Sequence, residues 1–177
     1  GRLHHFIFGF EPFHDKNQVP ANEKVQLTRY YEQMKQSILE NENYVDALMD
    51  EAEAVYTVDL THDRLEKIFF PSGSNRFRIS QQAPCSYNEY CASRMERITE
   101  DTMENYCIVD SSEKLLERFR NGAKQVTVEY QENGSNGEPE WLQKTVLMSQ
   151  DTLYDEKVGR EMTVVHGIIL FKNTSVF

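Results

Sequence analysis

The 177 residues are 39% hydrophobic and 27% charged, the make-up of one soluble globular domain with some additional length rather than two full domains. A formal net charge of −10, with carboxylates spread along the chain and no basic stripe, argues against a phosphate-tracking face and so against direct nucleic-acid binding. Cys85, Cys91 and Cys107 form an odd set without a CxxC pair, and no apolar run reaches the roughly 20 residues of a membrane span, nor does a signal-peptide core open the chain. The expectation is a cytoplasmic protein in a reducing compartment, whose parent chain is free to be membrane-anchored elsewhere.

In chain order, residues 1–10 are aromatic and β-branched and too short for a helix, so they read as a strand; residues 11–20, with Pro12 and Pro20, form a turn-rich link. From Ala21 to Ala52 there is neither Gly nor Pro, and Leu27, Tyr31, Met34, Ile38, Asn41, Val45, Leu48 and Ala52 recur at alternating spacings of 4 and 3 residues, a heptad seam with one polar member. Two readings follow: a dimer-forming coiled coil in which Asn41 fixes register, or an amphipathic helix packed on its own domain, with Asn41 and Asn43 marking a break. Ala54–Leu60 alternates as a strand, Thr61–Asp63 is a polar turn, and Arg64–Phe70 is placed to complete a hairpin.

The middle, from Ser86 to Arg120, is helical by its punctuation. Ser86 is a cap for a helix through Arg97, with Glu89 three residues on as in a capping box. Thr99 is a cap for a short helix holding Met103, Tyr106 and Cys107. Ser111 or Ser112 opens a third, with Leu115, Leu116 and Phe119 on one face and Asn121-Gly122 as its stop. Three strands close the chain. In the first, Val126, Val128 and Tyr130 face one way and Gln125, Thr127 and Glu129 the other. After the turn at Asn133–Gly137 come Trp141–Met148, a polar loop at Asp151–Arg160, and Met162–Phe171.

This order resembles that of the PAS domain. The resemblance is carried by Leu48–Leu60, where a helix runs into a first strand; by Leu115–Gly122 leading into Val126–Tyr130; and by the closing strands at Glu138–Trp141 and Val164–Asn173. It covers about Asn43 to Phe177. It implies an α+β fold, with a five-stranded antiparallel sheet, short helices on one face and an N-terminal helical extension. The implied division is residues 1–20 as strand and linker, 21–52 as connecting helix and 53–177 as sensor domain. Leu3–Phe10 aligns without gaps on Val164–Phe171, sharing His, Ile and Phe at three positions, so the first segment also reads as the last strand of an upstream copy.

The function implied is sensing or signal relay within a multidomain bacterial regulator, such as a diguanylate cyclase or sensor histidine kinase. The expected partners are a second copy of the chain, an unidentified small ligand and an output domain in the same parent chain. The output chemistry itself is not in this sequence, which has no GGDEF-type loop, phosphoacceptor His box, Gly-rich ATP segment or P-loop, and so the chain is expected not to be an enzyme. Adjacent carboxylates such as Glu51 with Glu53 read as solvated charge. His4 and His5 are neighbours on a strand and face opposite ways, which does not suit a metal, and no His lies between His62 and His166 to hold haem. Gly73–Phe77 is similar to a flavin-site motif, but falls too early in the element order and lacks its Cys.

The default ligand site is then the space between the sheet and the middle helices. Cys107 is a pocket candidate there, and Tyr130, Thr145 and His166, polar-tipped and on three successive strands, are expected to converge on it. Each also has a plain structural alternative: a buried Cys as a small hydrophobe, Tyr130 as core, and His166 as a core histidine satisfied by a neighbour. No cofactor is named by the sequence. The rival to a sensor is a structural dimerisation module whose interior is filled by Tyr106, Phe119, Tyr130 and Trp141.

Overall fold

The computed structural model describes residues 50–70 and 82–175. The expected strand at 1–10, the heptad positions from Leu27 to Leu48 and the Gly73–Phe77 segment lie outside the described residues. In chain order the elements are β1 (Ala54–Asp59), β2 (Arg64–Phe69), β3 (Cys85–Ser86), α1 (Tyr87–Met95), a 3-10 turn (Glu100–Thr102), α2 (Met103–Tyr106), α3 (Ser112–Arg120), β4 (Gln125–Asn133), β5 (Pro139–Asp155) and β6 (Arg160–Asn173). The strands form one sheet in the order β3-β2-β1-β6-β5-β4, and each pairing is antiparallel. This is an α+β fold with a few short helices between the N-terminal hairpin and the three closing strands.

Two differences from the sequence reading concern strands. The sheet has six members rather than five, because Cys85 and Ser86, immediately before α1, pair with Leu65 and Arg64 at the edge. Residues 151–160 are not a loop: β5 runs on to Asp155 and β6 starts at Arg160, so Thr152 faces Thr163, Leu153 faces Met162 and Asp155 faces Arg160. These residues lie beyond the core and are largely solvent-exposed, so cross-strand pairs rather than burial hold them, and their polarity hides the strand from a burial-based reading. Gly159, at φ +69°, supplies the left-handed residue that lets the four-residue turn close.

The helices begin where the hydroxyls stand. Ser86 Oγ accepts from the Glu89 amide at 3.1 Å and Ser111 Oγ from the Lys114 amide at 3.2 Å, each satisfying an amide that the first turn leaves without an intrahelical partner. Gly122, at φ +98°, ends α3, and the Ala123 amide turns back to the Arg118 carbonyl at 2.9 Å. Asp63, in the β1–β2 turn, binds both helix starts to the sheet. Its Oδ1 accepts from the Asn88 amide at 2.9 Å and the Ser112 hydroxyl at 3.2 Å, its Oδ2 from the Ser86 hydroxyl, and its backbone takes φ +51° to aim there.

The register gives the sheet two distinct faces. Ala54, Tyr56 and Val58 of β1, Ile169 and Phe171 of β6, Leu142, Val146 and Met148 of β5, and Val126, Val128 and Tyr130 of β4 form one core with Tyr87, Tyr90, Cys91, Tyr106 and Leu115 of the helices. The inward direction expected for Val126, Val128 and Tyr130 is what the structure shows. On the opposite face lie Val55, Thr57, Leu147, Ile168 and Leu170, also buried, together with Asp59, Thr145, Ser149 and His166. Gly167 pairs with Val58 of β1; a Cβ there would lie 2.8 Å from Val58 Cγ2, so a larger residue would have to push that β-branched side chain aside.

Candidate functional site

The inward row of β5 reads Leu142, Lys144, Val146, Met148, and its second member is a lysine with no exposed surface. Period-two alternation points Lys144 at the helices just as it points the valine beside it. Its Nζ donates to Tyr87 Oη at 2.8 Å and lies 3.4 Å from the Val109 carbonyl and 3.9 Å from Cys91 Sγ. The rings of Tyr87, Tyr106 and Phe171 surround it with centroids at 5.0, 5.5 and 5.7 Å, distances at which a ring face attracts a cation. Burial pushes the Lys144 amine below its ordinary value; the neighbouring Cys91 and Asp110 oppose this, and Arg94 adds to it.

A second polar group lies along the inward row of β4, where Glu132 continues the alternation of Val126, Val128 and Tyr130. Glu132 Oε1 binds the buried guanidinium of Arg94, from α1, and the Arg97 Nε at 3.0 Å. Its Oε2 is buried and has no hydrogen-bond partner. Burial lowers the Arg94 pKa, but the Tyr90 oxygen and the Glu132 carboxylate outweigh it and hold the guanidinium above its ordinary range. Between the two polar groups stand Tyr56, Tyr90, Tyr106 and Tyr130. Tyr90 Oη donates to Tyr56 Oη at 3.2 Å, Tyr106 Oη to the Cys91 carbonyl at 3.0 Å, and Tyr87 Oη to the Val109 carbonyl at 2.7 Å. Burial raises all five phenols, Tyr56 to about 12.

Chemically, this interior holds a cationic amine over aromatic faces at one end and an Arg–Glu pair with a spare carboxylate oxygen at the other. Among the described residues no group of three or more His, Cys, Asp or Glu is placed to hold a metal ion, and no helix is long and apolar enough to cross a membrane.

Of the four pocket candidates, the structure brings only Tyr130 into this interior. Cys107, at the end of α2, is half-buried and outside the cage, and the cysteine that touches Lys144 is Cys91, fully buried on α1. Thr145 follows Lys144 and so points to the other face of the sheet, where its Oγ1 lies 3.2 Å from Thr127 Oγ1. His166 is on that same face, in register between Asp59 of β1 and Ser149 of β5. Strand parity separates the set, because Tyr130 pairs with Leu142 on the helix side while Thr145 and His166 are an odd number of residues out of step with it. Lys144, Arg94 and Glu132 were missed, although a lysine inside an every-second-residue apolar run is a signal the sequence carries. Trp141, the expected inward ring, is 41% exposed. No protein-family model matches this chain, and no curated protein does.

Proposed function

We propose that the chain is a non-catalytic, PAS-type sensory or signal-relay domain of a multidomain bacterial signalling protein, working in the cytoplasm. In this reading it binds a small ligand between helices and sheet and transmits through its N-terminal segment and homodimerisation. The order β2-β1-β6-β5-β4, with the helices inserted between β2 and β4, supports the class. The observation that carries the sensor reading is Lys144: a fully buried amine with only neutral hydrogen-bond partners is unfavourable for folding, and strongly perturbed groups in the interior concentrate where ligands are recognised. Native against denaturing mass spectrometry, with an absorption spectrum of the same sample, tests it. The expected result is a small molecule held non-covalently by the wild-type chain and lost from Lys144→Met.

A second reading, a structural dimerisation module with a filled interior, is favoured by the ring packing. Tyr56 lies 4.8 Å from Phe171 and Tyr106 5.0 Å from Tyr130, centroid to centroid, so side chains themselves fill much of the space. Bare, colourless chains in the native spectrum, with no small molecule bound on adding candidate aromatic carboxylates, would favour that reading over the sensor.

A further inference from the structure

Cys91 of α1 and Lys144 of β5 are 53 residues apart in sequence, yet Nζ lies 3.9 Å from Sγ and both residues are fully buried. Reacting atoms must close to about 3–3.5 Å, so the amine has less than about 1 Å to travel. Moving it strands nothing, because Tyr87 Oη goes on donating to the Val109 carbonyl at 2.7 Å. An amine attacks only in its neutral form, and burial shifts Lys144 toward that form. Cys85 and Cys107 have other surroundings: both are half-buried, and burial, followed by Glu89 and Asp63 for the one and Asp110 for the other, pushes their thiols up.

We propose that Cys91 and Lys144 form a modification site for a small peroxide, which joins the two side chains through a sulfur–nitrogen bond. In the first step the Cys91 thiol reduces one hydrogen peroxide: sulfur gives up two electrons and becomes a sulfenic acid, one peroxide oxygen stays on sulfur, and the other leaves as water. In the second the neutral Lys144 amine attacks that sulfur. The nitrogen–sulfur bond forms, the sulfur–oxygen bond breaks, and the hydroxyl leaves with an amine proton as a second water, the same condensation that a sulfenic acid undergoes with a backbone nitrogen. One thiol, one amine and one peroxide thus give one sulfenamide and two waters. A dithiol reductant restores the thiol and the amine and is itself oxidised to a disulfide.

Burial decides which product forms. Hydrogen peroxide is little larger than water and enters through local opening of the fold, so the first step is slow, and the second peroxide needed to carry sulfur on to sulfinic acid is slowed equally. The amine, already in contact, is not slowed, because fixed juxtaposition stands in for a very high concentration of free amine. Once linked, the nitrogen is no longer an ammonium, so the ring cage around it loses its cation, and α1 is tied covalently to the centre of the sheet. The site goes beyond the relay reading and stands whether or not a small molecule is held in the interior.

The test uses the full wild-type chain, folded and, in parallel, unfolded in guanidinium chloride. Each sample is treated with a graded series of hydrogen peroxide, quenched with catalase, blocked with iodoacetamide, digested with trypsin and mapped by mass spectrometry. The folded chain should yield a joined pair of peptides carrying Cys91 and Lys144, uncut after Lys144 and about 2 Da lighter than the two reduced peptides together. Dithiothreitol should return it to the free peptides, and its yield from the unfolded chain should be lower by at least about tenfold, because the juxtaposition is gone. Three outcomes overturn the proposal: Cys91 carried to sulfinic or sulfonic acid with no link, which means that the amine does not reach the sulfur; Cys91 unmodified at peroxide levels that consume Cys85 and Cys107, which means that burial closes the site to the oxidant; or a link formed equally in the unfolded chain, which removes the fold from the explanation. The readout is a bond between two residues of the chain rather than a bound molecule, so its failure and that of the ligand search are distinguishable.

Discussion

Replacing Lys144 by Met should leave the fold as stable or make it more stable by about 1–3 kcal/mol at pH 7. The amine meets no carboxylate; its hydrogen-bond partners are the Tyr87 hydroxyl, the Val109 carbonyl and, at 3.9 Å, Cys91 Sγ. Hydrogen bonds from a charged donor contribute about 1.5–3 kcal/mol and contact with ring faces about 0.5–2. Desolvating an ammonium costs several kcal/mol, and the balance falls against the lysine. The replacement also leaves no orphan, because Tyr87 Oη still donates to Val109 and that carbonyl keeps its partner at 2.7 Å. Each kcal/mol corresponds to about 3–5 °C in Tm for a domain of this size.

The pH dependence follows from the same geometry. Burial lowers the folded Lys144 pKa beneath its ordinary 10.5, so between those two values the unfolded chain binds more protons than the folded one and wild-type stability rises with pH. The gap between wild type and Lys144→Met should therefore narrow as pH climbs toward 10. Above 10 the sign reverses for both proteins. The five buried phenols have folded pKa values above their ordinary 10.0, so the stability they contribute, complete below pH 10, is lost as the medium becomes more alkaline. Urea titrations of both chains from pH 7 to 11 check this. A Lys144→Met protein less stable than wild type by more than about 1 kcal/mol at pH 7, or a difference flat with pH, would refute the reasoning.

Three further changes act on the scaffold. Glu132→Ala strips the buried Arg94 guanidinium of its carboxylate and should destabilise by about 3–5 kcal/mol in chemical denaturation, a large part of the stability of a small domain. Asp63→Ala removes the acceptors for Ser86, Asn88 and Ser112 and puts alanine at φ +51°, which predicts a loss of about 2–4 kcal/mol; Asp63→Asn, which tolerates that φ and keeps one carbonyl oxygen, should lose less, as differential scanning calorimetry would show. Gly167→Ala drives a Cβ to 2.8 Å from Val58 Cγ2, and thermal melts should report about 1–3 kcal/mol lost through overpacking.

Local chemistry was legible in the sequence wherever one residue decides the outcome. Ser86 and Ser111 cap helices because a hydroxyl before an apolar run is an available acceptor, Gly122 stops one because it accepts a positive φ, and Val126, Val128 and Tyr130 turn inward because strand parity leaves no choice. What was not legible depended on pairing across distance. Asp151–Asp155 reads as loop because its support is the cross-strand partner at Arg160–Val164 rather than burial. Thr145 and His166 read as pocket residues from their polar tips on successive strands, whereas the register, which places them opposite Leu170 and Ser149, sends them to the far face. Lys144 was overlooked for the converse reason: its type suggests solvent, and only its position in the β5 alternation reveals the interior.

The two faces of this sheet are separated by one layer of backbone, and consecutive residues serve both. Phe171 closes the cage over the Lys144 amine, while Lys172, next in sequence, reaches the other way to Glu51 beside the first described helical residues. Lys144 and Thr145 divide in the same manner on β5. The exposed Lys172–Glu51 pair is worth little by itself, so any coupling between the faces has to travel through displacement of β5 and β6 rather than through that contact. Combining Lys144→Met with Ser149→Cys measures it. If the cage and the far face share these strands as one mechanical unit, relaxing the cage should change N-ethylmaleimide labelling of the new, otherwise buried thiol at position 149 by about threefold or more at pH 7, and the effect should shrink toward pH 10 as the wild-type amine loses its proton. Labelling that is the same with and without Lys144 would mean that the sheet insulates its two faces from each other.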